Sequence, residues 1–199
     1  MSLPETGGLE PRALFPEATR GVWLEIGFGA GEHLAWQAGR HPETGMIGAE
    51  VFLNGIAGLL ARVAAEGLDN LRVYQGDGRE LLARLPEASL DRVVALFPDP
   101  WRKLRHHKRR LVRRETLTHL ARALRDGAEL RLATDHRDYL VWMLERLSGH
   151  PDFEWTARGP EDWRARPDDW PETRYERKAR SEGRNPAFLR YIRRPRTAA

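Results

Sequence analysis

The sequence predicts an α/β fold: a doubly wound, mostly parallel sheet with helices on both faces. Short apolar runs of strand length alternate with stretches of helical spacing through the first three quarters of the chain. The first run ends in a glycine-rich turn that opens a helix, at Gly27, Gly29 and Gly31. The fourth run delivers a carboxylate, Asp99, to the sheet edge where α/β proteins place their sites. With 199 residues, 41% of them hydrophobic, the chain can bury one proper core, and a second full domain is not expected. The expected division is an irregular arm over 1–20, marked by Pro4, Gly7, Gly8, Pro11 and Pro16, and a single domain over 21–199.

Residues 22–26 form the first strand, and residues 32–38 the helix that follows the glycine turn. Residues 46–51 read as the second strand, and residues 53–65 carry apolar side chains at helical spacing up to a stop at Gly67. The third strand, 71–74, closes at Gly76-Asp77-Gly78 before a short helix over 80–85. Residues 90–96 are the fourth strand, 113–124 a helix, 130–134 the fifth strand and 139–147 another helix. After Pro151 the alternation breaks into a charged segment with Trp155, Trp163 and Trp170 among prolines. The aromatic ending at Phe188, Leu189, Tyr191 and Ile192 reads as a last strand, antiparallel and hairpin-connected. No internal repeat is visible.

Lysine and arginine total 33 against 29 acidic residues, and the distribution says more than the net +4. Basic residues crowd 102–114 and 174–196, with acidic Glu161, Asp162, Asp168, Asp169 and Glu172 between them, which favours a polyanionic partner. Without cysteine, disulfides, thiolate catalysis and cysteine-ligated zinc are excluded, and the cytoplasm is the expected compartment. No stretch approaches the ~20 apolar residues of a membrane span, and no signal-peptide pattern opens the chain. His106 and His107 sit in a cationic loop without nearby carboxylates, so no metal site is expected.

The turn Glu25-Ile26-Gly27-Phe28-Gly29-Ala30-Gly31 lacks the third glycine of a dinucleotide fingerprint, since position 32 is Glu. Its G-x-G-x-G spacing, with an acidic residue two before the first glycine, is the pattern of S-adenosylmethionine methyltransferases. Glu50 ends the second strand, where a carboxylate can accept ribose hydroxyls, and Asp77 ends the third, within reach of an adenine edge. Any one of these could be a helix cap or a solvated turn. Together with the glycine turn they point to a nucleoside-containing cofactor.

Phe97-Pro98-Asp99-Pro100-Trp101 places the fourth carboxylate between two prolines, each of which fixes its own φ and biases the residue before it toward extended geometry. The side chain is thereby held and aimed. Arg102, Lys103, Arg105, His106, His107, Lys108, Arg109 and Arg110 follow at once, a cationic loop suited to phosphates.

In that order, and continuing through Thr134-Asp135 and Thr173-Arg174-Tyr175-Glu176, these motifs resemble the tRNA (guanine-N7)-methyltransferase family over nearly the whole of 22–192. The resemblance implies a Rossmann-like class I S-adenosylmethionine-dependent methyltransferase, its doubly wound, seven-stranded, mostly parallel sheet ending in an antiparallel strand. It implies methyl transfer to N7 of the variable-loop guanine, position 46, of tRNA. It assigns Glu25, Gly27, Gly29, Gly31, Glu50, Asp77 and Asp99 to the S-adenosylmethionine site, with Asp99 also the catalytic carboxylate. Lys103, Asp135, Thr173, Arg174, Tyr175 and Glu176 are implied to contact tRNA, in a monomer or homodimer needing no partner subunit. The chain departs from the family at His136, usually Trp, and Tyr175, usually Phe.

Thr173-x-x-Glu176 also matches a capping box, and Asp135, between a strand and a helix, could be an N-cap. The three tryptophans are read as packing a lid onto the sheet. Two other functions fit less of the chain: a methyltransferase for a small anionic acceptor, whose anion the basic loop would hold, and a non-catalytic RNA-binding protein on a degenerate cofactor fold.

Overall fold

A computed structural model describes residues 8–197. Seven strands form one sheet in the order β3-β2-β1-β4-β5-β7-β6. They are β1 (Gly21–Ile26), β2 (Thr44–Glu50), β3 (Leu71–Gln75), β4 (Leu90–Leu96), β5 (Leu124–Thr134), β6 (Phe153–Trp155) and β7 (Ala187–Arg193). β1 to β5 run parallel, and β7 lies antiparallel to both its neighbours. This is the class expected from sequence, with the order reversing between β1 and β4, the switch point where such sheets bind ligands.

The helices are α1 (Glu32–Arg40), α2 (Leu53–Glu66), α3 (Gly78–Arg84), α4 (Arg114–Ala123), α5 (Arg137–Leu147), α6 (Glu161–Arg164) and α7 (Arg174–Ser181). β2 is buried along its whole length because helices cover both faces of the sheet, so its apolar run is continuous rather than alternating. α2 stops at Gly67 in the left-handed conformation, whose N–H and that of Leu68 both return to the Val63 carbonyl.

Two elements differ from the sequence reading. β6 is a three-residue edge strand paired to β7 inside the segment read as irregular. β6 and β7 are neighbours, yet residues 156–186, carrying α6 and α7, separate them, so the expected hairpin is a long excursion over the sheet edge. At the other end, a 3-10 turn over Pro11–Leu14 leads to Phe15, which is buried against Gly45 and under the Arg72 guanidinium, 5.0 Å from its ring centre. Residues 1–7 of the expected arm lie outside the described residues.

Candidate active site

The loops leaving β1 to β4 enclose a cleft of about 470 Å³, within the range of small-molecule sites. The glycine turn forms its floor. Gly27, Gly29 and Gly31 have φ of 72°, 58° and 75°, a left-handed conformation that costs an L side chain about 1–2 kcal/mol per residue. A Cβ on Gly27 would meet nothing within 4 Å, so the missing side chain leaves open room over the turn for a ligand.

Glu50 binds the floor to the wall. Its Oε2 accepts from the Gly29 N–H at 2.8 Å, and its Oε1 accepts from the N–H groups of Val51 and Phe52 at 2.8 and 3.0 Å. A carboxylate oxygen can accept twice, so Oε2 retains a lone-pair site while the carboxylate holds the loops. Asp77 caps α3, accepting from the Arg79 N–H at 2.9 Å, and the Arg79 Nε–H reaches both of its oxygens, at 3.0 and 2.9 Å. Those side-chain hydrogen bonds hold the Asp77 carboxyl below the usual carboxylate range. Glu25 lies beneath the turn, lining a small adjoining recess rather than the main cleft.

Asp99 stands exposed at the cleft mouth, in a turn braced from both sides. Phe97 and Trp101 have φ of 53° and 44°, a conformation rare for large side chains that persists only where the surroundings impose it, and Phe97 thus departs from the extended geometry expected of the residue before Pro98. The surroundings are visible. The Phe97 N–H donates to the Ala133 carbonyl at 2.8 Å, and Arg110, the last of the basic run, is fully buried and donates Nε–H to the Pro100 carbonyl at 2.8 Å. Arg110 also pairs with Asp138 and lies over the rings of Tyr139 and Trp142. The basic run is thus sorted: Arg110 turns inward as a brace, while Arg102, Lys103, Arg105, Lys108 and Arg109 remain exposed around a 3-10 helix over Leu104–Arg109.

α7 contributes the remaining wall. Thr173 caps it, accepting from the Glu176 N–H at 3.3 Å, and Glu176 is buried between Arg166, 3.2 Å away, and Arg180, 3.0 Å away. Tyr175 faces the cleft instead, stacked on Phe97 with ring centres 6.5 Å apart and seated over Gly29. Its hydroxyl accepts from Arg174 Nη2 at 3.0 Å, and the Arg174 backbone N–H donates to Glu32 on α1 at 2.7 Å. Asp135 pairs with Arg184 at 2.6 Å. The cap of α5 is the next residue, His136, whose Nδ1 accepts from the Tyr139 N–H at 3.4 Å. Burial, then the charge of Arg102, hold its imidazole below the ordinary value, so Nδ1 stays free to accept.

Gly27, Gly29, Glu50, Asp77, Asp99 and Tyr175 therefore meet in one cleft. Gly31, Lys103, Asp135, Thr173, Arg174 and Glu176 do not line it, and Glu176 points into the protein. Among residues the sequence analysis passed over, Val51 and Phe52 wall the cleft with 56% and 69% of their surface exposed and Arg79 also lines it, as does Arg109, which was expected only among the phosphate-binding cations of the loop. An apolar pair directly after an acidic strand end was a usable signal. The orientations of the two arginines had none. Among the described residues, no three histidine or acidic side chains gather as a metal site, and no helix is long and apolar enough to cross a membrane.

A family model described as "Putative methyltransferase" matches residues 19–189. The tRNA (guanine-N(7)-)-methyltransferase of Rhodospirillum rubrum is 51% identical over 98% of this chain and 77% of its own length. That of Paramagnetospirillum magneticum is 52% identical over 94% of this chain and 79% of its own length. Among solved structures, an rRNA methylase from Streptococcus thermophilus superposes with a TM-score of 0.60 at 13% identity, covering 88% of each chain. A 16S rRNA (adenine(1408)-N(1))-methyltransferase mutant from Catenulisporales acidiphilia, with its cosubstrate SAM, gives 0.58 at 18% identity, covering 90% of this chain and 88% of that one. At these identities the likeness to the two structures is one of fold.

Proposed function

This chain belongs to the tRNA (guanine-N7)-methyltransferase family, and on that premise we propose that it transfers a methyl group from S-adenosylmethionine to N7 of the variable-loop guanine in tRNA. The observation that carries the reading is the braced Asp99 at the mouth of a nucleoside-sized cleft, with an exposed cationic loop leaving from the same turn.

The cleft fits the cofactor. Gly27 leaves the room, Glu50 keeps a lone pair for a ribose hydroxyl, Asp77 reaches toward an adenine edge, and Val51 and Phe52 supply an apolar wall for the base. When bound, the cofactor supplies an electrophilic methyl on a sulfonium. Guanine N7 carries a lone pair and no proton, so no general base has to unmask it, and alignment is the main task of the protein. Such positioning is worth about 7–11 kcal/mol in favourable systems. Asp99 accepts from the N1 and N2 hydrogens of guanine, orienting the ring and offsetting the positive charge that develops on it. The N7 edge of a folded RNA lies in a deep groove or in tertiary contacts, so the base leaves its stack to react. Tyr175 and Phe97 present aromatic faces to it at the cleft. Lys103, Arg105 and Lys108 neutralise phosphates and offset the few kcal/mol of unstacking.

Incubation with labelled S-adenosylmethionine tests the reading. Label is expected in an unmodified tRNA transcript, and not in one whose variable-loop guanine is replaced by adenine. Equal labelling of both transcripts, or of small anionic acceptors in place of tRNA, overturns it.

A further inference from the structure

Glu25 and His33 are both buried beneath the glycine turn, with His33 Nδ1 2.6 Å from Glu25 Oε2. The far side of the imidazole decides which nitrogen carries the hydrogen. Gln37 Nε2 lies 2.8 Å from the main-chain oxygen of Asp169 and 3.1 Å from His33 Nε2. A main-chain carbonyl only accepts, so the Gln37 atom beside it is the NH2 group, and that group's second hydrogen goes to His33 Nε2. Turning the amide over would set two acceptors against each other at Asp169. The bare nitrogen of His33 is therefore Nε2, the ring is neutral, and Nδ1–H donates to Glu25. In this orientation Gln37 Oε1 is buried without a partner, a cost set against the hydrogen bonds its NH2 group makes to the Asp169 carbonyl and to His33 Nε2. Asp169 is itself held by Arg131 Nη2 at 2.6 Å, and the next residue, Trp170, is fully buried, so the far end of the relay is fixed.

The recess above this relay is lined by Glu25, Glu32, Gly27 and Ala30, and it adjoins the cleft. Glu32 is engaged by the Arg174 N–H and by Arg177. Glu25 Oε1 receives no hydrogen bond from the described residues, so Glu25 offers the recess its available acceptor. S-adenosylmethionine has one cation away from the transferring sulfur, the ammonium of its amino-acid end, and an acidic recess suits it. We propose that His33 is a positioning residue for cofactor binding. Its Nδ1–H, set by the Gln37 amide and the Asp169 carbonyl, pins one oxygen of Glu25 so that the other takes that ammonium. This rests on the S-adenosylmethionine reading of the cleft.

The test compares two ligands by titration calorimetry: S-adenosylhomocysteine, which has the ammonium, and 5′-methylthioadenosine, which shares the nucleoside and lacks it. His33→Leu is expected to weaken S-adenosylhomocysteine about tenfold or more, the effect of losing a hydrogen bond to a charged group, and to leave methylthioadenosine within about twofold. His33→Asn, which keeps an N–H near the position of Nδ1, is expected to recover most of the loss. Should His33→Leu not fold, Gln37→Leu leaves the tautomer unset and is expected to weaken S-adenosylhomocysteine selectively. Equal losses for both ligands, or no loss for either, overturn the proposal. Wild-type protein that binds both ligands equally also overturns it, by removing the ammonium contact while leaving the nucleoside site standing. Wild-type protein that binds neither removes the cofactor reading on which it rests.

Discussion

Replacing Arg110 by methionine removes the brace under the Asp99 turn while keeping an apolar stem of similar reach. The guanidinium is 0% exposed, donates to the Pro100 carbonyl at 2.8 Å and lies 5.0 and 4.7 Å from the ring centres of Tyr139 and Trp142. An unpartnered Pro100 carbonyl costs about 1–3 kcal/mol. Two buried cation–π contacts add about 0.5–2 kcal/mol each. The pair with Asp138, whose side chain is 57% exposed, adds at most about 1 kcal/mol. Against these stands relief from burying a guanidinium whose Nη1 has no partner, which offsets a large share. A net loss of about 2–4 kcal/mol is expected, or a fall in Tm of roughly 5–15 °C for a chain of this size. Thermal unfolding followed by circular dichroism reads it directly. Arg110→Lys should fall between, because a point ammonium cannot span the Pro100 carbonyl and Asp138 as a planar fork does. Methyl transfer to tRNA should drop further than S-adenosylhomocysteine affinity, since the brace serves the Asp99 turn rather than the glycine floor. An Arg110→Met protein with an unchanged Tm and full turnover would refute the brace.

Asp99→Asn should lower turnover far more than cofactor affinity, and unchanged turnover would remove the carboxylate from the reaction. Gly31→Ala would place a Cβ 2.5 Å from Leu59 Cδ1 at a φ of 75°, so strain and overpacking together should cost about 2–4 kcal/mol in a denaturant titration, and a loss below about 1 kcal/mol would contradict this. Burial pushes the Glu129 carboxyl up, but Arg131 and Arg92 outweigh it and hold the group below its ordinary value of 4.5. A folded-state pKa below the unfolded one means that the stabilisation is fully present above about pH 4.5 and lost as pH falls through the folded value. The Tm gap between wild type and Glu129→Gln should therefore be widest near neutrality and shrink below that pH, and a gap constant down to pH ~3 would contradict the assignment. Changing Lys103, Arg105 and Lys108 together to alanine should flatten the slope of log affinity for tRNA against log salt by about 0.7–0.9 for each phosphate no longer neutralised, and an unaltered slope would place these cations outside the interface.

The cleft was legible where its residues are set by local geometry. Glycines at a strand-to-helix turn, carboxylates at strand ends and prolines around Asp99 carry their reasons within a few positions of chain, and six of the residues singled out do meet in one cleft. What escaped depends on partners far away. Arg125, Asp126 and Gly127 made the fifth strand read as beginning at residue 130, yet β5 starts at Leu124, directly after α4. Two of its four charged residues, Glu129 and Arg131, are buried because Arg92 on β4 and Arg190 on β7 complete the ion cluster from either side. Arg110 looked like one more phosphate ligand, and only the fold of α5 beneath it turns it inward. Thr173-x-x-Glu176 was readable both as a cap and as a substrate contact. The structure has Thr173 capping α7, while Arg166 and Arg180 draw Glu176 inside and leave Tyr175 at the cleft. β6 escaped because three residues are too few to show a period.

The cleft and its cationic loop together support delivery of a methyl group to N7 of one guanine in tRNA. The most direct measurement is borohydride and aniline cleavage of an unmodified tRNA transcript after incubation with the protein and S-adenosylmethionine, since the chemistry cuts the chain only at 7-methylguanosine. A single cut at the variable-loop guanine is expected, and none with Asp99→Asn. Methylated transcript that resists cleavage, or cuts at guanines elsewhere, would contradict it.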